Sequence, residues 1–111
     1  PEFKRVFRAQ QRIVSPHFVL YASKNTLTGS RLGVSISKSH CKLATRRNRL
    51  RRVAQELFRK EISPAVKGVD FVITSRKNAV AKGITEAVKE IKELLRQAKI
   101  KPCLERYSFQ Q

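Results

Sequence analysis

The chain is short of acids, with eight Asp and Glu among 111 residues, and they are scattered rather than clustered. A protein nuclease needs grouped carboxylates for metal ions, or a His base with a partner, and neither grouping is visible. The two histidines, His17 and His40, have no evident partner in the sequence. Glu86, Glu90 and Glu93 are expected to pair with lysines along one helix, while Asp70 and Glu56 stand alone in their segments. Cys41 and Cys103, the only cysteines, supply neither a zinc site nor a disulfide scaffold, and two reduced thiols are expected. There is no Met and no Trp, no Gly-rich phosphate loop and no Ser-His-Asp order. The longest apolar runs are a few residues, far short of a membrane span, and no export signal is visible. The sequence starts at Pro1 without a methionine, so native N-terminal residues are expected to be missing. By itself, the polypeptide is not expected to catalyse.

Basic charge is abundant. Twenty-five Lys and Arg give a net charge of +17 and a pI of about 11.0. That balance repels itself unless a polyanion neutralises it. The charge is also uneven. Residues 1–60 hold fifteen bases and two acids, net +13, and residues 61–111 hold ten and six, net +4. A polyanionic partner is therefore expected on the first half. The length suits one domain, 1–111, with residues 100–111 a loosely held tail.

Periodicity predicts the elements. Pro1 to Arg8 reads as a helix start, with Phe3, Val6 and Phe7 on one face. Residues 12–15 suit a short strand. From His17 to Ser23 apolar and polar positions alternate, placing Phe18 and Leu20 on one side and Val19 and Tyr21 on the other. Arg31 to Lys38 alternates again, with Leu32, Val34 and Ile36 together, so these strands are expected to form an antiparallel meander. Leu50, Val53, Ala54, Leu57 and Phe58 make the stripe of a helix from about Ala44 to Glu61, with Arg47, Arg51 and Gln55 along an opposing face. Val69 to Ser75 suits an interior strand. A last helix is expected from about Ala79 to Lys99, with Lys82/Glu86 and Lys89/Glu93 at i, i+4. The order predicts an α/β (α+β) two-layer sandwich, α-β-β-β-α-β-α, with a small mixed sheet.

Two groups of residues could carry binding. Arg46, Arg47, Arg49, Arg51 and Arg52 fall within seven positions of one helix, with no acid interleaved at i±4. Their forked guanidinium groups suit phosphate oxygens, and on A-form RNA such a helix would read backbone shape rather than base sequence. Phe3, Phe7, Val19 and Tyr21 form the second group. Aromatics at such spacing are often core, but Tyr21 has the parity opposite to Phe18 and Leu20. An aromatic beside a basic wall can hold single-stranded nucleic acid by stacking.

Arg47-Asn48-Arg49-Leu50-Arg51-Arg52, followed by Glu56-Leu57-Phe58-Arg59, resembles the Arg-Asn-Arg signature of the bacterial ribonuclease P protein component. Phe3 to Phe7, Phe18 to Tyr21, Arg31 to Lys38 and Val69 to Ile73 resemble that family's first helix and strands, in the same order over about residues 3–98. The resemblance implies a protein that joins a catalytic RNA, the complex removing 5′ leaders from precursor tRNA by chemistry the RNA performs. It implies that Arg46, Arg47, Asn48, Arg49 and Arg52 bind the catalytic RNA. Phe3, Phe7, Val19, Tyr21, Lys38 and Arg51 would line a leader cleft. It further implies a left-handed β-α-β crossover, against the usual hand, and Mg2+ held mainly by RNA. The expected setting is the bacterial cytoplasm, with no membrane and no small-molecule substrate. Any protein ligand to a metal stays undetermined at this level. Gln55 stands where many relatives carry a base, and the family's basic N-terminal extension is expected to have been lost by truncation before Pro1. The alternative is a ribosomal or other structural RNA-binding protein without a processing role.

Overall fold

A computed structural model of the chain describes residues 11–25 and 29–100. The helix expected at Pro1–Arg8, with Phe3 and Phe7, lies outside these residues, as do Cys103 and most of the tail. The elements are β1 (Gln11–Val14), β2 (Phe18–Lys24), β3 (Arg31–Ser35), α1 (Ala44–Leu57), β4 (Val69–Ser75) and α2 (Ile84–Ile100). The fold is α+β, a four-stranded mixed sheet carrying two helices.

The sheet order is β1-β2-β4-β3. β1 and β2 form an antiparallel hairpin, β2 pairs antiparallel with β4, and β3 pairs parallel with β4. The expected meander is thus corrected: β3 does not pair with β2, because β4 lies between them. The reason is burial. Val69, Asp70, Phe71, Val72 and Ile73 are all buried, so β4 presents no face to solvent and takes an interior place. A β2–β3 hairpin would have left that strand at an edge.

Register sorts the two faces. Phe18, Leu20 and Ala22 on β2 share a face with Phe71 and Ile73 on β4 and Ile13 on β1, and all six are buried. α1 and α2 cover this face with Leu50, Ala54 and Leu57 from the first and Ala87, Ile91, Leu94, Leu95 and Ala98 from the second. Phe58 meets Phe71 edge to face, with ring centroids 6.0 Å apart. Val19, Tyr21 and Ser23 take the opposite parity and are half-buried, as the alternation predicted.

Both helix boundaries differ from expectation. α1 ends at Leu57, and the chain continues through a wider π-type turn, Phe58–Ile62, closed by the Ser63 N–H on the Phe58 carbonyl at 2.8 Å. That turn keeps both Phe58 and Ile62 in the core. α2 begins at Ile84, not Ala79, because Gly83, inside the expected span, has a positive φ of 96° that a helix excludes. Among the described residues no helix is long and apolar enough to cross a membrane.

Candidate nucleic-acid interface

The amino half of α1 lacks the features that usually stabilise a helix start. Leu43, in extended conformation, gives the helix no side-chain cap, and no acid occupies the first turn. The positive end of the helix dipole therefore lies among cations, an arrangement that costs helix stability and attracts anions. Arg46, Asn48, Arg49 and Arg52 are exposed. Between described residues, the ion pairs within 4.0 Å are His17–Glu90, Arg31–Asp70 and Lys89–Glu86, so none neutralises an arginine of α1.

Arg47, Arg51 and Gln55 stack at i, i+4 spacing on a different flank, which the structure places beside the sheet edge rather than opposite the core. The Gln55 amide donates to the Leu32 carbonyl of edge strand β3 at 3.1 Å. Arg51 is half-buried and donates to the Asn48 side-chain oxygen at 3.0 Å. Arg47 turns back along the chain, and its Nη1 donates to the carbonyls of Cys41 and Lys42, both at 2.9 Å. One guanidinium thereby fixes the loop that enters α1, a role the arginine spacing did not announce.

Of the second group, Val19 and Tyr21 lie on the sheet face away from the helices, and Phe3 and Phe7 fall outside the described residues. Val19 stands opposite Thr74, and Tyr21 lies between Arg12 on β1 and Val72 on β4. On the same face, the Arg31 Nε and Nη2 donate to the two carboxylate oxygens of Asp70 at 2.9 and 2.6 Å. Asn25 donates to Asp70 as well, at 2.7 Å. Asp70 is fully buried, so this forked pair supplies the partners its charge requires. Asp70 does not stand alone, as its segment suggested; an acid inside an apolar strand was the available signal. Lys38 is exposed beyond β3, in a loop whose Ser37 N–H donates to Ser75 Oγ at 2.9 Å. That puts Lys38 at the Val19 end of the sheet, since Ser75 pairs with Phe18. Val19 and Tyr21 are thus together on one face, with Arg51 on the flanking helix and Lys38 at the end of the same sheet.

Both histidines and the acids of α2 have structural partners. Glu90 accepts from the Ser15 hydroxyl, from the His17 N–H at 2.7 Å, and lies 2.9 Å from His17 Nδ1. This corrects the expected lysine pairing and anchors α2 to the β1–β2 turn. The carboxylate sits between Ser and His, so no His faces the hydroxyl as a base would. Glu86 pairs with Lys89, at i, i+3. His40 Nδ1 lies 2.8 Å from Ser75 Oγ. Cys41 is buried and free. The described residues contain no group of three or more His, Cys, Asp or Glu that could hold a metal ion.

The profile of the family Ribonuclease P matches residues 1–99. The chain is 38% identical over 98 residues to the ribonuclease P protein component of Coxiella burnetii, covering 86% of this chain and 78% of that one. It is 36% identical over 78 residues to the same component from Aliivibrio salmonicida, covering 70% and 66%. The solved RNase P protein of Thermotoga maritima superposes with a TM-score of 0.74 at 28% identity, covering 94% of each chain.

Proposed function

The chain belongs to the ribonuclease P protein family, and from that premise we propose that it serves as the protein subunit of a ribonucleoprotein that matures the 5′ ends of tRNA. The catalytic RNA docks on α1 through Arg46, Arg47, Asn48, Arg49 and Arg52. The leader of precursor tRNA lies across the opposite sheet face, over Val19 and Tyr21, with Lys38 and Arg51 at its phosphates and Phe3 and Phe7 completing the cleft. The observation that supports this division is the split of α1: Arg46, Arg49 and Arg52 are exposed with no ion pair among the described residues, Arg47 secures the loop that enters the helix, and Arg51 and Gln55 flank the edge strand.

The protein's part is positional. Lysine and arginine side chains reduce the repulsion between two RNAs, and Tyr21 offers a flat apolar surface to an unstacked leader base. Hydrolysis belongs to the RNA, where bound Mg2+ supplies Lewis-acid chemistry in the assembled particle. The described residues offer that ion no grouped ligands. The left-handed crossover from β3 through α1 to β4, one domain spanning 1–111 and a bacterial cytoplasmic setting complete the reading. A purely structural RNA-binding role would share the charge of α1 but has no use for a leader face.

Binding of precursor and mature tRNA to the reconstituted particle tests it. Tyr21→Ala should cost about 1–3 kcal/mol for precursor carrying a leader, with mature tRNA bound nearly as before. An equal loss for both would remove Tyr21 from the leader path.

A further inference from the structure

Because β3 and β4 run parallel, their carboxyl ends lie side by side. Loop 36–43 leaves one strand and loop 76–83 leaves the other. Between them is a cavity of about 320 Å3, lined by Lys42, Arg46, His40, Leu43, Asn78 and Val80 among others, with no carboxylate in its walls. In open sheets with parallel strands, ligands favour this position, beyond the carboxyl ends. A second cavity of about 340 Å3, near the β1–β2 turn, is lined by Glu86 and Glu90 as well as by lysines, and suits an anion poorly.

The walls are held in place. Ser75 Oγ accepts from the Ser37 N–H and orients the His40 ring, and the Cys41 N–H donates to the Ser37 carbonyl at 3.0 Å. Arg47 clamps the carbonyls of Cys41 and Lys42 from behind. Across the cavity, the Ala81 N–H closes on the Asn78 carbonyl at 3.0 Å and the Gly83 N–H on the Val80 carbonyl at 2.9 Å. Little ordering is left for a ligand to impose. Leu43 is the one exposed large apolar side chain among the described residues, at 56%. It sits beside Lys42 and Arg46, so cation and apolar surface meet within one ligand's reach.

Phosphate and a flat apolar ring, joined in one unit, are the chemistry of a nucleotide. We propose that this cavity seats a single unpaired nucleotide of the RNA docked on α1, its phosphate against Lys42 and Arg46 and its base against Leu43 and Val80. The proposal rests on the ribonuclease P reading. A paired nucleotide is excluded because a duplex hides the faces of its bases from the protein.

Binding of the full chain to transcribed ribonuclease P RNA, measured over a range of salt concentrations, tests the seat. Leu43 and Lys42 are exposed, so Leu43→Ser and Lys42→Gln leave the core untouched. Leu43→Ser should weaken binding about tenfold with the salt slope unchanged. Lys42→Gln should lower the slope by about 0.7, one single-strand phosphate. If both variants bind like the parent while Arg52→Ala binds more weakly, the seat is wrong and docking on α1 stands. If Arg52→Ala also binds like the parent, the docking reading falls and the seat falls with it. Nuclear magnetic resonance separates the two sources of the ligand. A single-stranded oligoribonucleotide should shift the His40, Leu43 and Val80 signals at lower concentration than AMP does. Earlier saturation by AMP would make this a free-nucleotide site and overturn the assignment to RNA.

Discussion

α1 and α2 are both amphipathic, both pack on the same sheet face and both carry many cations, yet their outer surfaces are organised differently. In α2 acids are interleaved with bases: Glu86 pairs with Lys89, Glu90 holds the β1–β2 turn, and Glu93 accepts from Gln97 at 3.3 Å. In α1 the arginines between Arg46 and Arg52 meet no acid, and the helix starts without a cap. Counting basic residues alone would rank the helices as similar. What separates the two outer surfaces is whether acids are interleaved with the bases along the helix.

The inner faces should behave alike. Leu50 and Ile91 are both fully buried, so Leu50→Ala and Ile91→Ala should each cost about 2–5 kcal/mol in urea unfolding. A cost below 1 kcal/mol for either would show that its helix is loosely docked. Differences begin at the next layer. Glu90→Gln should cost about 1–3 kcal/mol of stability, because Ser15 and His17 lose their shared carboxylate, while affinity for RNA stays as it was. A stability change below 0.5 kcal/mol would make the Glu90 contacts incidental. On α1 the pattern reverses. Arg52→Ala should leave stability within about 0.5 kcal/mol and flatten the salt dependence of RNA binding by about one phosphate contact. The smallest effect belongs to Lys89→Ala, expected to be within about 0.5 kcal/mol in stability, with an unchanged salt slope. A slope change as large as that of Arg52→Ala would erase the distinction between the helices.

Features with a local period were legible in the sequence. The stripe from Leu50 to Phe58 predicted which side of α1 is buried, and strict alternation placed Tyr21 opposite Phe18 and Leu20. The apolar run from Val69 placed β4 inside the sheet. Features set by distant partners were not legible. Pairing of β3 with β4 instead of β2 depends on which strand must be covered on both faces, a property of the whole sheet. The Arg31–Asp70 pair spans 39 positions and the His17–Glu90 pair spans 73, so no local window contains either. Arg47 looked like its neighbours because spacing says nothing about a side chain that folds back on its own loop. The start of α2 lies five residues beyond the expected one because the apolar period continues through Ala79 and Val80, while the helical backbone is interrupted at Gly83.

A matched pair of charge deletions tests the central claim most directly. Arg46, Arg49 and Arg52 on α1, and Lys89, Arg96 and Lys99 on α2, are all exposed, and replacing either set by alanine removes three positive charges. Cleavage of precursor tRNA by transcribed ribonuclease P RNA at low magnesium would be followed with each protein added over a range of concentrations. The parent protein and the α2 triple variant should accelerate cleavage, and the α1 triple variant should leave it near the rate of RNA alone. Equal acceleration by both triple variants, or none by the parent, would contradict the account.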